Sequence, residues 1–243
     1  MHVSPRDAMR RRIVALHNRL GGARPCLPRG RARPDARTQR ADTGDLHMAL
    51  PEPKPAGHTI RRLRASDRAQ ILAYFLRLDP ETRANRFMGS VGEAGIRAYA
   101  ERAVTADGLI FGAFVSGTLR GVAELRPSGP GATPLDLGRQ AEAAFAVERA
   151  YRRRGIGGAL FARITEAGRN RGVGDLHVRC LAMNGPMRRL AIRHGADLQA
   201  SGTEAEAAVH LERPTPFSLW HESIAEAFDL TIAALQSRNP PPA

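Results

Sequence analysis

The sequence predicts an α/β protein, helices layered on a β-sheet, and two observations carry that expectation. Residues 141–160, AEAAFAVERAYRRRGIGGAL, read as a strand, a basic glycine-rich turn and the opening of a helix. On either side, short apolar segments of strand length alternate with stretches whose apolar residues recur at helical spacing. A strand feeding glycines at a helix start is also an anion site. Unpaired N–H groups point outward there, the helix dipole favours negative charge, and glycine admits a close approach.

The elements follow in order. Residues 1–57 lack Phe, Trp and Tyr and carry eleven arginines and one lysine against five acidic residues. Such a segment cannot bury enough apolar surface to offset ordering entropy and is read as disordered. Met48 is taken as the natural start and residues 1–47 as an extension. Residues 7–20 also fit a basic amphipathic helix, with Met9, Ile13, Leu16 and Leu20 on one face, which leaves a transit peptide or a contacting arm open. A folded domain is expected over residues 58–213, beginning with a strand at 59–63. Ser66 is a fitting N-cap for a helix that carries Ile71, Leu72, Phe75 and Leu76 on one face.

A second helix is expected over residues 92–103. Strands at 109–115 and 118–125 flank Ser116-Gly117 and read as a hairpin. A Pro- and Gly-bearing loop, 126–138, leads to the central strand, 141–147. In the helix after the glycines, Ile156, Leu160 and Ile164 recur every fourth residue. A strand at 175–182 and two more within 196–212, parted at Ser201-Gly202, bring the expected sheet to six or seven strands. Residues 214–236 form a C-terminal helix whose stripe of Trp220, Ile224, Phe228 and Leu235 is expected to pack on its own domain or on a dimer mate. Residues 237–243, with three prolines, should fray.

Composition bounds the function. The 243 residues carry a net charge of +13, from 36 arginines and a single lysine, Lys54, against 24 acidic residues. So strong an arginine bias reads as GC-rich coding rather than selection for nucleic acid, which is not an expected partner, although the charge favours anionic ligands. Two cysteines, Cys26 and Cys180, make neither a disulfide framework nor a zinc site and fit a reducing, cytoplasmic compartment. His221-Glu222 opens like a zincin motif, but Ala225 stands where the second ligand belongs, so no metal is expected. Apolar runs are far too short to span a membrane.

Three glycine motifs compete for residues 152–160. A Walker A loop needs a lysine where Ala159 follows Gly158. A dinucleotide fingerprint needs a third glycine where Leu160 stands, and no acidic residue closes the next strand. The third fits: Arg152-x-x-Gly155-x-Gly157 resembles the Arg/Gln-x-x-Gly-x-Gly/Ala signature of the GNAT (GCN5-related) N-acetyltransferases. Asn184-Gly-Pro-Met187-Arg-Arg-Leu190, followed by His194-Gly195-Ala196, is similar to that family's second cofactor motif. The run Asp79-Pro-Glu81-x-Arg83 and Arg86-Phe87 resembles its protein-lysine acetyltransferase branch.

The resemblance spans about residues 59–212 and implies a GNAT fold with a central mixed, mostly antiparallel sheet. It implies acetyl-CoA as donor, its pyrophosphate on the N–H groups of Arg152, Arg153, Arg154, Gly155, Ile156, Gly157, Gly158 and Ala159. The backbone of Phe145, Ala146 and Val147 should hold the pantetheine arm and supply an oxyanion donor. A bulge in that strand should splay it from the next.

Acetyl transfer to an amine also needs a proton acceptor. The run Ala-Glu142-x-Ala-x-x-Val matches the lysine-acetyltransferase branch, where that glutamate deprotonates the amine. As a lone carboxylate on an apolar strand it should be partly desolvated, which raises its pKa toward a useful range; the plainer reading is a solvated charge balancing arginines. Glu124 is the second candidate. Glu204 and Glu206 either attract a cationic acceptor or face water. Asn184 reads as an N-cap, as a pantetheine ligand, or as both. Arg86 reads as structural, pairing Glu81 or carbonyls, and Cys180 as a buried strand residue.

The motif's tyrosine, general acid for the thiolate, is Ala191 here. Two functions therefore stand: an N-acetyltransferase acting on a protein lysine or a small amine, and a catalytically weak acetyl-CoA-binding module.

Overall fold

The computed structural model describes residues 57–104, 108–128, 133 and 136–238. They lie within a compact unit spanning Leu50–Ala243. Expectations for the N-terminal arm, residues 129–132 and 134–135 of the 126–138 loop, and the extreme C-terminus fall outside the described residues.

Strand β1 (His58–Arg62) leads through a single 3-10 turn at Ala65–Asp67 into α1 (Arg68–Arg77), α2 (Pro80–Phe87) and α3 (Glu93–Ala103). The β2 (Leu109–Val115) and β3 (Thr118–Pro127) hairpin follows, then β4 (Gln140–Val147), a 3-10 turn at Arg149–Tyr151 and α4 (Ile156–Arg169). β5 (Asp175–Leu181), α5 (Gly185–Arg193), β6 (Asp197–Ser201), β7 (Glu204–His210) and α6 (Pro216–Arg238) complete the described chain. The seven strands form one sheet in the order β1-β2-β3-β4-β5-β7-β6. β4 and β5 run parallel, and every other neighbouring pair is antiparallel.

Burial explains the strand compositions. In β2, Leu109 to Phe114 are all buried, because both faces of this half of the sheet are covered. Leu109, Phe111 and Ala113 pack with Leu125, Ala143, Leu160, Phe161 and Ile164 beneath α4. Ile110 and Phe114 pack with Ile71, Tyr74, Phe75, Ile96 and Ala100 of α1 and α3. β5 instead alternates, with Leu176, Val178 and Cys180 inward and His177 and Arg179 on the opposite, less covered face. The C-terminal half of the sheet thus keeps one polar face, beside the place where β4 and β5 meet.

Local chemistry sets the junctions. Ser116 and Gly117 both take positive φ (49° and 74°), as a two-residue hairpin turn of this twist requires. Asp79, not a residue foreseen as a cap, starts α2: its side chain accepts the Thr82 N–H at 3.0 Å, and Pro80 occupies the first turn. Ser66 does not cap α1; it lies in the 3-10 turn, and Asp67 holds the N-cap position. Asp67 is buried and bonded by Arg61 at 2.7 and 2.9 Å. Gly121 on β3 lets α4 seat closely, since a Cβ there would lie 3.0 Å from Ile156 and 3.2 Å from Leu160.

Candidate active site

The glycine turn has the predicted form. Arg153 and Gly155 adopt positive φ (63° and 79°), and α4 begins at Ile156 with Gly155 as a cap that offers no side chain. The first N–H paired along the helix is that of Ala159, to the Gly155 carbonyl at 3.0 Å. The preceding N–H groups of the first turn have no carbonyl one turn back to bond. Gly157 and Gly158 keep this end open: added Cβ atoms would reach Leu190 at 3.4 Å and His194 at 3.9 Å. These residues fit an anionic group. The arginines divide the work. Arg153 and Arg154 are exposed. Arg152 turns inward, donating from Nε to the Val147 carbonyl at 3.2 Å and from Nη2 to Thr82 Oγ1 at 2.5 Å, so it braces the turn.

The second feature is the parting of two parallel strands. β4 and β5 are laddered only at Gln140↔Asp175, Ala141↔Leu176 and Glu142↔His177. Beyond Glu142 the strands diverge, while β4 stays paired with β3 from Ala141 through Val147 without a register shift. The expected bulge in β4 is therefore not what opens the gap; the one irregularity in this region lies between Ala113 and Phe114 of β2. Phe145, Ala146 and Val147 line the diverging stretch. Two of their carbonyls already have a donor, Tyr74 Oη on Ala146 at 2.7 Å and Arg152 on Val147. A carbonyl has two lone pairs, so each can still accept a second bond. Burial pushes the Tyr74 hydroxyl far above its ordinary value, so it stays a donor.

The two candidate bases differ sharply. Glu142 stands at the apex of the gap with its side chain 35 % exposed. It is not the lone carboxylate the strand composition suggested: Arg179 on β5 donates to it from Nη2 at 2.8 Å and Nε at 3.3 Å. That hydrogen bond raises the Arg179 guanidinium further. Strand alternation puts Arg179 on the same face as His177, which bonds Glu206 at 2.9 Å.

Glu124 is buried, 4 % exposed, and held by Arg86 and by Arg126 at 2.5 Å. Burial would raise its carboxyl, but the two guanidiniums more than reverse this and hold it below the usual range. Arg86 also donates to the Tyr99 hydroxyl at 3.0 Å. Arg86 is structural as expected, but its partner is Glu124; Glu81 pairs with Arg149 on the turn after β4.

The second motif folds as a capped helix. Asn184 Oδ1 accepts the Met187 N–H at 3.2 Å and opens α5, so the capping role is filled and leaves the amide nitrogen for a ligand. Ala191 is 1 % exposed and packed in the core under α4; no hydroxyl occupies its place. Cys180 is buried, and burial raises its thiol. No group of three or more His, Cys, Asp or Glu suited to a metal occurs among the described residues.

The profile of the acetyltransferase (GNAT) family matches residues 69–196. The chain belongs to that family. The GNAT match covers β3, β4, the glycine turn, α4 and the capped α5, the same elements that build the gap. Solved structures agree on the GNAT fold. The GNAT domain of Streptomyces lividans PAT aligns with a TM-score of 0.53 at 20% identity, over 63% of this chain and 89% of that one. A GNAT-family acetyltransferase from Streptococcus pneumoniae gives 0.51 at 12%, over 64% and 99%. An N-acetyltransferase from Staphylococcus aureus Mu50 gives 0.51 at 17%, over 65% and 100%. No curated protein matches the chain in sequence. As a GNAT protein it is an acyltransferase, and acetyl-CoA is the donor the family uses.

Three residues at this site escaped the sequence reading: Arg179, Tyr74 and Thr82. Only Arg179 left a signal, since the alternation DLHVRCL puts it on the face of Glu142's strand neighbour.

Proposed function

We propose that this GNAT protein transfers an acetyl group from acetyl-CoA to an amine, a protein lysine or a small amine, with Glu142 taking the amine's proton. The observation that carries the reading is the position of Glu142, the last residue of β4 paired to β5 before the strands part. In this reading the N–H groups at the start of α4 hold the pyrophosphate, with Arg153 and Arg154 adding positive charge. The bound thioester supplies the acetyl group. Phe145, Ala146 and Val147 line the gap where the pantetheine arm lies, and Asn184 offers its amide nitrogen.

Glu142 is prepared for its role by Arg179, which fixes the carboxylate at the apex of the gap. A cationic acceptor meets Glu142, Glu204 and Glu206 on this face, takes the place of Arg179 on the carboxylate, and gives up its proton there. Glu124 has no part in proton transfer, because its two arginine partners keep it ionised and enclosed. The missing hydroxyl at Ala191 favours protonation of the departing thiolate by water. A thiolate is a good enough leaving group for this.

Glu142→Gln tests the reading. It should leave acetyl-CoA binding unchanged and lower kcat by about 10²–10⁴-fold, the usual contribution of a positioned base. Undiminished transfer in the variant would remove Glu142 from the mechanism. The same absence of a hydroxyl at Ala191 supports the second reading, a binding module. Acetyl-CoA binding by the parent with no transfer to any amine tried would favour it.

A further inference from the structure

Helix α6 is turned inside out. Its buried residues are polar: Ser218 is 3 %, Glu222 7 % and Asp229 5 % exposed. Its large apolar residues face outward: Phe217 is 71 %, Trp220 60 %, Ile224 37 % and Phe228 64 % exposed. Of the two packings expected for the stripe, on its own domain or on a dimer mate, Trp220, Ile224 and Phe228 do not make the first.

The inward face is latched. Ser218 Oγ donates to Asn170 Oδ1 at 2.7 Å, and Asn170 Nδ2 donates to Glu222 at 2.8 Å. Arg171 donates to Glu222 at 2.5 Å, and Asp229 accepts the Arg62 N–H at 2.9 Å. Glu226 accepts from Arg62 Nη1 at 3.1 Å. Rolling the helix to bury the stripe would strand these groups without partners, which is costly. The apolar face is thus held outward by its own polar side.

We infer that this face pairs with the same face of a second copy of the chain. Charge selects that occupant. The chain carries +13, and residues 58–243 alone hold 25 arginines against 19 acidic residues, so net charge opposes the approach of two copies. Between Pro216 and Thr231, however, all the acidic residues of α6 turn inward, and no Lys or Arg occurs. A membrane-docking helix would instead rim its apolar face with cations.

Area agrees. Taking 150–250 Å² per aromatic side chain, the three rings and Ile224 expose on the order of 500 Å², near the upper end of patches that monomers leave uncovered. Doubled across a two-fold axis, and with rim residues such as Ala227 and Thr231, this reaches the roughly 1,000 Å² that a specific interface needs. Spacing agrees too, since Phe217, Trp220, Ile224 and Phe228 recur on one side as a helix–helix seam demands.

Trp220 is the sequence's single tryptophan, so its fluorescence reads this face directly. The full chain should sediment as a dimer, and on dilution Trp220 emission should shift to the red as the pair separates. The double variant Phe217→Ser, Phe228→Ser should sediment as a monomer with red-shifted emission at every concentration and unchanged far-UV circular dichroism. A wild-type chain that stays monomeric at the highest concentration would overturn the inference, whether Trp220 is then exposed or shielded by the chain's own residues 1–56. So would a double variant that still dimerises. Neither readout involves acetyl transfer, so the outcome is independent of the proposed mechanism.

Discussion

Glu124 and Glu142 lie on neighbouring strands, and their surroundings give them opposite tasks. Glu124 sits within Arg86, Arg126 and Tyr99, and the two arginines offset the cost of burying its charge. Removing one partner of such a buried pair leaves a charge poorly compensated. Arg86→Met should therefore lower stability by about 3–5 kcal/mol, read from denaturant unfolding; a loss below about 1 kcal/mol would mean the cluster is better hydrated than its burial indicates. Glu142, one-third exposed and at the strand junction, has one arginine, Arg179, that an incoming cation can displace. Sequence pattern pointed to Glu142 because a single carboxylate interrupts an apolar strand. Its arginine partner was not legible, since the pair joins residues 37 positions apart in sequence and depends on strand order. Glu124 read as the second candidate because one of the two arginines that neutralise it, Arg86, lies 38 positions away in sequence.

Among the elements, strands and turns were the most legible. Short segments of strand length between turn signals located the strands to within a residue or two, and Ser116-Gly117 specified its hairpin through positive φ. Helix α2 was not foreseen as a helix. Its eight residues, PETRANRF, bury only Thr82 fully, so they carry little apolar periodicity; the Asp79 cap and Pro80 start it. This cap makes a pH prediction. Burial slightly opposes ionisation, but bonds from the Thr82 hydroxyl and N–H and from Arg149 bring Asp79 down to about 2. Because this lies below the ordinary value of about 3.9, the contribution is complete above about pH 4 and fades as pH falls through about 2. Asp79→Asn keeps a capping oxygen without the charge. Thermal unfolding of wild type and variant should therefore converge between pH 4 and pH 2; a constant gap would show that Asp79 contributes no charge-dependent stability. Helix α6 was found, but its apolar stripe left open whether it meets its own domain or a dimer mate, because a stripe does not announce that the opposite, polar side is latched by Asn170 and Arg171.

At the scale of the molecule, β2 and β3, buried on both faces, carry a rigid frame. β4 extends from that frame, and the half-sheet of β5, β7 and β6, with one polar face, diverges from it at Glu142. The glycine turn and the open N-terminal turn of α4 lie at the other end of β4. GNAT membership and the layered fold were both readable from the order of strand, glycine turn, helix and capped helix. The acceptor was not, because Glu142 and the carboxylates proposed to meet it, Glu204 and Glu206, lie on strands far apart in sequence.

The central claim is that the turn at Gly155–Gly158 binds acetyl-CoA. Thermal unfolding of the full chain, with and without acetyl-CoA, tests it most directly against the Gly157→Glu variant, whose carboxylate would fill and repel the anion site. At a hundred times the dissociation constant, a ligand specific for the folded state adds about 2.7 kcal/mol, or roughly 5–10 °C for a domain of this size. A shift of that size in the parent, absent in the variant, is the predicted result. No shift in the parent, or an equal shift in both, would contradict the account.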